Sequence, residues 1–266
     1  MKRSAAWLTA KLRSWRGVPD HPVTLRWDRQ RITGNPARMA EIQAIYRWGS
    51  WEYEVTKCFN ALVKPGMTVV DVGANLGYYT LLAARRVGPS GRVIAFEPIP
   101  EARRRLEENL ALNGYRNVTI SPVALFSRDT PMVLGRPFED SRLLPETRHP
   151  SDGDLEVTCA RFDAIRQDVG IGAVDVVKMD VEGAEMDVLL GMTETLSRSR
   201  PSLLLEVHAS ALTGFGHTAA HVTGWLQDLG YVLTPLDMSG SDFHAWLEDG
   251  RTETVHLLAQ AKERAG

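Results

Sequence analysis

Several short apolar runs in this chain end in groups able to move a proton or hold a cation. Residues 174–179 form a nearly continuous apolar run, broken by Asp175 and Lys178, that ends in Asp180. Residues 201–208, Pro-Ser-Leu-Leu-Leu-Glu-Val-His, read as a strand whose alternate residues Leu204, Glu206 and His208 share one face. Asp180, Glu206 and His208 therefore fall within reach of one cleft. A poor nucleophile there would lose its proton to a positioned base, His208, or Asp180 acting alone or through a water. The same three groups suit Mg²⁺ or another hard divalent ion that lowers a hydroxyl pKa. The metal-free version is preferred, because an oxygen-rich site holds metal only where two carboxylates converge. Glu182 and Glu185 open the helix after Asp180, where the helix dipole stabilises acidic residues in any case. A structural role fits Glu185 at least as well as a catalytic one.

The element that must position these groups is residues 69–77, Val-Val-Asp-Val-Gly-Ala-Asn-Leu-Gly. A β-branched apolar run, entered through Lys64-Pro-Gly66, turns over at Gly73 into an apolar-periodic segment, and reads as strand, glycine turn, helix. A dinucleotide turn wants G-x-G-x-x-G; here Asn75 and Tyr78 stand where the second and third glycines belong, so an NAD-linked oxidoreductase fits poorly. Asp71 repels a pyrophosphate but suits a ligand carrying an ammonium and a sulfonium. Arg92–Phe96 forms a second strand that delivers Glu97, a carboxylate able to accept two hydrogen bonds from a ribose diol.

The runs Asp71-Val-Gly-Ala-Asn-Leu-Gly-Tyr-Tyr79, Phe96-Glu-Pro98, Asn109-Leu-Ala-Leu-Asn113 and Val177-Lys-Met-Asp-Val-Glu-Gly-Ala-Glu185 resemble the FkbM family of S-adenosylmethionine-dependent methyltransferases, in order and spacing, from about Trp51 into the 230s. The resemblance implies an α/β fold, a Rossmann-like class I methyltransferase with a seven-stranded, mostly parallel sheet and helices on both faces. It implies S-adenosylmethionine as cofactor and a hydroxyl of a sugar, polyketide or other secondary metabolite as acceptor. On this reading Asp71, Gly73, Asn75 and Gly77 shape the cofactor turn, Glu97 holds the ribose, the Ala124 backbone lies beside the adenine, and Asp180 reaches both cofactor and acceptor. The rivals are an N- or C-methyltransferase of the same fold, since cofactor residues do not fix the acceptor, and a non-catalytic nucleoside-binding module that docks a partner.

Composition agrees. The chain has 266 residues, 44% apolar and 24% charged, ordinary for one globular enzyme core. Cys58 and Cys159 lack metal-type or C-x-x-C spacing, which points to a reduced, cytoplasmic setting and no zinc site. A net charge of −2 makes no case for nucleic acid. Charge is uneven, however: residues 1–50 carry ten basic side chains, from Lys2 to Arg47, against Asp20, Asp28 and Glu41. Residues 1–16 fit a basic amphipathic helix with Trp7, Leu8, Leu12 and Trp15 near one face, for a membrane surface or, more simply, for the protein's own core or a second subunit. Lys11 and Arg13 interrupt any secretory signal, and no stretch is apolar enough to span a bilayer.

This divides the chain into a basic segment, 1–50, and a methyltransferase domain, 51–266. Residues 23–27 read as a short strand covering an edge, and 37–62 as helix with a break at Gly49-Ser50; Tyr53 or Glu54 could line the cofactor, although packing or solvated surface is the plainer role. Residues 98–113 read as a helix and 117–124 as the third strand. The insertion 126–160, with strand candidates at 132–134 and 155–158, is the expected acceptor lid, since long loops at the carboxyl edge of such sheets carry function. Residues 219–229 read as a helix, and Tyr231–Pro235 and 254–259 as a closing antiparallel pair joined through the Asp249-Gly250 turn. His217 and His221 read as surface.

Overall fold

The computed structural model describes residues 17–135, 143, 153–168, 170–249 and 252–262; the expected helix at 1–16 and most of the segment 136–152 lie outside them. Among the described residues one sheet has seven strands: β3 (Thr68–Val72), β4 (Arg92–Phe96), β5 (Val118–Ser121), β9 (Val176–Met179), β10 (Ser202–His208), β11 (Tyr231–Pro235) and β12 (Thr254–Ala261). Their order across the sheet is β11-β12-β10-β9-β3-β4-β5. Neighbours from β10 through β5 pair in parallel, and β12 pairs antiparallel with both β10 and β11.

Alternation along the strands feeds two cores. Val70, Val72, Ile94 and Phe96 join one buried cluster, and Val69, Val93 and Ala95 the other. Helices on both faces complete the layers: Tyr78–Val87 and Pro100–Asn113 bury Leu81, Leu82 and Leu106 in the second cluster, while Glu185–Gly191 and Ala219–Asp228 bury Val188, Leu189, Val222 and Leu226 in the first. No helix among the described residues is long and apolar enough to cross a membrane.

Four features differ from the sequence reading. The third strand stops at Ser121, and Ala124–Leu125 (β6) pairs instead with Leu155–Ala160 (β8), which also pairs with Thr130–Leu134 (β7) in a separate three-stranded sheet. Pro122 sits at the break and has no N–H with which to continue a ladder. Strand Val23–Trp27 (β1) covers no edge of the main sheet; it forms a hairpin with Gln30–Gly34 (β2). That hairpin is tied to the helix Pro100–Asn113 by Asn113 Oδ1, which accepts from the Arg31 N–H, and Asn109 Oδ1, which accepts from the Thr33 N–H, both at 2.8 Å. Leu25, Ile32, Ile42 and Ile45 share a core cluster with Val69 and Val93, so the described part of 1–50 packs into the same core as the sheet. Finally, a helix, Gly240–Glu248, stands between the closing strands, capped by Ser239 and anchored by buried Phe243 and Trp246. Its apolar spacing, Phe243 and Trp246, is too short to announce a helix ahead of the turn signal at Asp249-Gly250.

Candidate active site

Parallel pairing brings the carboxyl ends of β3, β4 and β9 to one edge. The strand order reverses beside β3, with β4 on one side and β9 on the other, the place where open α/β sheets bind ligands. A cavity lies there, lined by Asp71, Gly73, Asn75, Glu97, Ala124 and Asp180, all expected from the sequence, together with Trp51, Tyr79, Lys178, Glu182, Leu134 and Leu143. Gly73 has φ +78, and a Cβ there would run into the Asp180 backbone oxygen, so the β3 turn and the end of β9 touch only because this residue has no side chain. Gly77 does not line the cavity; at φ +97 it caps the following helix and abuts Leu106. Of the described residues expected in the insertion 126–160, Leu134 and Leu143 line the cavity wall. Tyr53 is exposed and Glu54 pairs with Lys57, so neither lines the cavity; Trp51 does. His217 and His221 also lie off it, His217 facing Asp187 at 3.5 Å.

Glu97 is 4% exposed, and its two carboxylate oxygens accept from the Asn75 and Ile99 N–H groups, each at 2.8 Å. Burial pushes its carboxyl up to about 7 despite these bonds. Each oxygen keeps further acceptor capacity for a ligand hydroxyl. Asp71, also buried, accepts from the Thr80 hydroxyl at 2.5 Å; burial pushes it up to about 6, with the Thr80 bond and the Lys178 charge opposing.

Behind the cavity wall stands a dense polar cluster. Nδ1 of His208 lies 2.8 Å from Oε1 of fully buried Glu185, which also accepts from the Gly183 N–H at 2.9 Å. Its Nε2 faces Glu182 at 3.3 Å, Glu206 at 3.5 Å and Asp180 at 3.8 Å. Burial opposes the charged ring, but the bonds and charge of Glu185 and Glu206 outweigh it and push His208 up to about 11. His208 is therefore an imidazolium at neutral pH, not the free base expected from sequence. Glu206 does not line the cavity; burial would raise its carboxyl, yet His208, His256 of the neighbouring last strand and Lys178 hold it far below the usual carboxylate range. Asp180 alone of the three expected catalytic groups reaches the cavity. Its Oδ1 is buried without a hydrogen-bond partner, and burial raises its carboxyl well above the usual range, Lys178 and His208 opposing and Glu206 and Glu182 adding. Glu182 adopts φ +54 before Gly183 at φ +108, a sharp turn that curls its carboxylate back toward His208. One donor atom each from Asp180, Glu182 and His208 lies within 4.8 Å of the others, so two carboxylates do converge.

Sequence reasoning passed over three members of this cluster. Lys178 is 1% exposed, stacks its ammonium 4.9 Å from the Tyr79 ring centre, and is held charged against burial by Asp180, Glu52, Glu206 and Asp71. Its signal was visible, a lysine inside an otherwise apolar strand. His256 stands opposite Glu206 across the β10–β12 pair, and Glu52 accepts from the Tyr79 hydroxyl at 2.6 Å. Neither has a local motif; only strand pairing and chain reversal bring them in.

Residues 71–233 match the methyltransferase FkbM domain. The chain belongs to the FkbM methyltransferase family. With the family comes the enzyme class, an S-adenosylmethionine-dependent methyltransferase on a Rossmann-like sheet. Among relatives, Methyltransferase 1 of Beauveria bassiana is 27% identical over 61% of this chain and 72% of its own length. The 2-O-methyltransferase NoeI of Sinorhizobium fredii is 29% identical over 52% of this chain and 63% of its own. The AMB antimetabolite synthetase AmbE of Pseudomonas aeruginosa is 30% identical over 55% of this chain, but the match spans only 9% of that protein. The FkbM domain match starts at Asp71, so the cavity residues Gly73, Asn75, Glu97, Ala124 and Asp180 all fall inside it.

Proposed function

We propose that this FkbM-family chain is an O-methyltransferase for a hydroxyl of a sugar, polyketide or other secondary metabolite, with Asp180 as the group that takes the hydroxyl proton. The observation that carries this reading is the Asp180 carboxyl on the cavity wall, its Oδ1 held 3.8 Å from His208 Nε2 and its proton affinity raised by partial burial and by the neighbouring Glu206 and Glu182 charges. An alcohol must lose its proton on attack, whereas a neutral amine needs no base to attack, so a carboxylate tuned in this way favours an O-acceptor over an N-acceptor. The naming of NoeI as a 2-O-methyltransferase points the same way.

The cavity fits the cofactor: a glycine cradle at Gly73 that a Cβ would fill, a buried carboxylate at Glu97 with acceptor capacity to spare, and acidic groups at Asp71 and Asp180 to complement positive charge. Bound S-adenosylmethionine supplies an electrophilic methyl group on a sulfonium. Glu97 would accept from the ribose hydroxyls, and the Ala124 backbone would border the base. Asp180 orients the acceptor oxygen and receives its proton. Protonated His208, locked by Glu185, fixes Asp180 and Glu182 in place and keeps the developing carboxylic acid from drifting. Leu134 and Leu143 give the wall an apolar surface that would exclude water, as expected of an acceptor lid. Net charge −2 and an acid-lined cavity support a small neutral acceptor rather than nucleic acid. The free thiols Cys58 and Cys159 suit a cytoplasmic setting, and residues 1–16 are left as a contact for a membrane surface or a second subunit.

A second reading places a hard divalent ion between Asp180, Glu182 and His208, whose donor atoms converge. One experiment tests both. Transfer of labelled methyl to a panel of hydroxylated acceptors is followed with EDTA and with Mg²⁺, in the native chain and Asp180→Asn. Turnover that survives EDTA and disappears in the variant supports the metal-free reading, and turnover only with Mg²⁺ supports the second. Cofactor binding with no transfer to any acceptor, N-acceptors included, would instead favour a non-catalytic module.

A further inference from the structure

The proposed reaction leaves Glu52, His256 and Asp237 without a role, yet these side chains are built around one point. His256 Nδ1 lies 2.9 Å from Oδ2 of Asp237, which also accepts from the His256 backbone N–H at 3.2 Å. That pair fixes the ring and turns Nε2 toward Glu206 Oε2 at 3.4 Å and Glu52 Oε1 at 3.6 Å. Both His256 Nε2 and Glu206 Oε2 are buried without a hydrogen-bond partner. These separations exceed a good N–H···O bond of about 2.9 Å. They match the edge of a tetrahedral ion site, where ligands about 2.1 Å from one ion stand about 3.4 Å apart.

We propose that Glu52, Glu206 and His256 bind one divalent cation of the zinc or manganese type. Their three donor atoms lie within 4.8 Å of one another. One imidazole with two carboxylates suits such borderline ions better than Ca²⁺, which takes oxygen alone. Asp237 supplies the outer carboxylate that metal-bound histidines use to set ring orientation. The side chains of Glu52, Glu206 and His256 are only 13%, 14% and 16% exposed, so the ion would be held largely out of water.

The site joins three separate parts of the chain. Glu206 comes from β10, His256 from β12, and Glu52 from the turn before the helix Tyr53–Leu62, where its backbone is held at φ +38. Glu52 follows Trp51, and it accepts the hydroxyl of Tyr79; Trp51 and Tyr79 both line the cofactor cavity. An ion here pins that wall of the cavity to the sheet. Metal occupancy and cofactor affinity are therefore coupled, and each tightens the other. The coupling rests on the S-adenosylmethionine reading; the metal site does not.

The full chain, stripped with EDTA and dialysed, is titrated with Mn²⁺ by the loss of the free-ion paramagnetic signal and with Zn²⁺ by calorimetry. One saturable site is expected, weakened at least tenfold in Glu52→Gln and in His256→Gln and about tenfold to a hundredfold in Asp237→Asn. Asp180→Asn, which disables the neighbouring trio of Asp180, Glu182 and His208, is expected to keep it. Anomalous diffraction from zinc-soaked crystals of the native chain tests the same point without a variant, with the peak expected between Glu206 and His256. No binding of either ion, binding lost in Asp180→Asn but kept in His256→Gln, or a peak at Asp180 alone overturns the proposal. In that case protonated His256 is simply ion-paired to the two glutamates. S-adenosylhomocysteine titrations with and without saturating metal then read the coupling, with tighter binding expected when metal is present. Equal affinities alongside an intact metal site overturn the coupling and leave the site.

Discussion

Replacing Glu97 by Gln should separate the stability of the fold from its affinity for cofactor, and the size of the effect follows from the site. Burial raises the Glu97 carboxyl to about 7 from an ordinary 4.5. A group whose folded pKa is raised binds its proton more tightly in the folded state, so its contribution is most favourable at low pH and is lost as pH rises from 4.5 through 7. For those two values, the loss is about 0.8 kcal/mol at pH 5 and about 3.3 kcal/mol at pH 8, on the order of 2.5 kcal/mol between them. Gln carries no such pH-dependent cost. Its amide nitrogen cannot accept from both Asn75 and Ile99, which leaves one N–H unsatisfied at about 1–3 kcal/mol at every pH. Urea unfolding of both proteins at pH 5 and pH 8 reads the result: Glu97→Gln clearly less stable at pH 5, and level with or above the native chain at pH 8. The same variant is expected to bind S-adenosylhomocysteine about 10- to 100-fold more weakly at pH 8, where it lacks a charged acceptor for the ribose. Stability curves that run parallel from pH 5 to pH 8 would refute the buried, proton-loving carboxyl on which this rests.

Asp180→Asn is expected to lower kcat by about 10²–10⁴ in the methyl-transfer assay, with a much smaller change in S-adenosylhomocysteine affinity; equal losses in both would make Asp180 a cofactor residue only. Gly73→Ala should lose about 1–3 kcal/mol by urea unfolding and most of its cofactor affinity, because a methyl at φ +78 meets the Asp180 backbone oxygen. His208→Asn strands the fully buried Glu185 carboxylate and should cost about 3–5 kcal/mol, with part of that recovered in His208→Asn/Glu185→Gln. If the double variant is no more stable than the single, the His208–Glu185 pair is not the charge lock described above.

The cofactor half of the site could be read from the chain because its parts are local. Gly73, Asn75 and Glu97 sit at strand ends that a run of apolar residues followed by a turn announces, and parallel pairing then carries each to the same edge. Asp180 was legible for the same reason. The protonation of His208 was not, because it depends on Glu185, brought back by the left-handed turn at Glu182 and Gly183, and on Glu206 two residues earlier in its own strand. Lys178, His256 and Glu52 were missed because burial, antiparallel register and a chain reversal, rather than spacing, bring them together. The split of the third strand turned on one proline, and the helix Gly240–Glu248 on two buried aromatics whose spacing is too short to announce a helix.

The most direct test of the account is an equilibrium titration of the purified, dialysed protein with S-adenosylmethionine and S-adenosylhomocysteine, run beside Glu97→Ala. Saturable one-site binding that weakens sharply in the variant is the predicted result. A folded native chain that binds neither ligand, or a variant that binds both as tightly as the native chain, would contradict the cofactor site at Gly73, Asn75 and Glu97 on which the proposed chemistry stands.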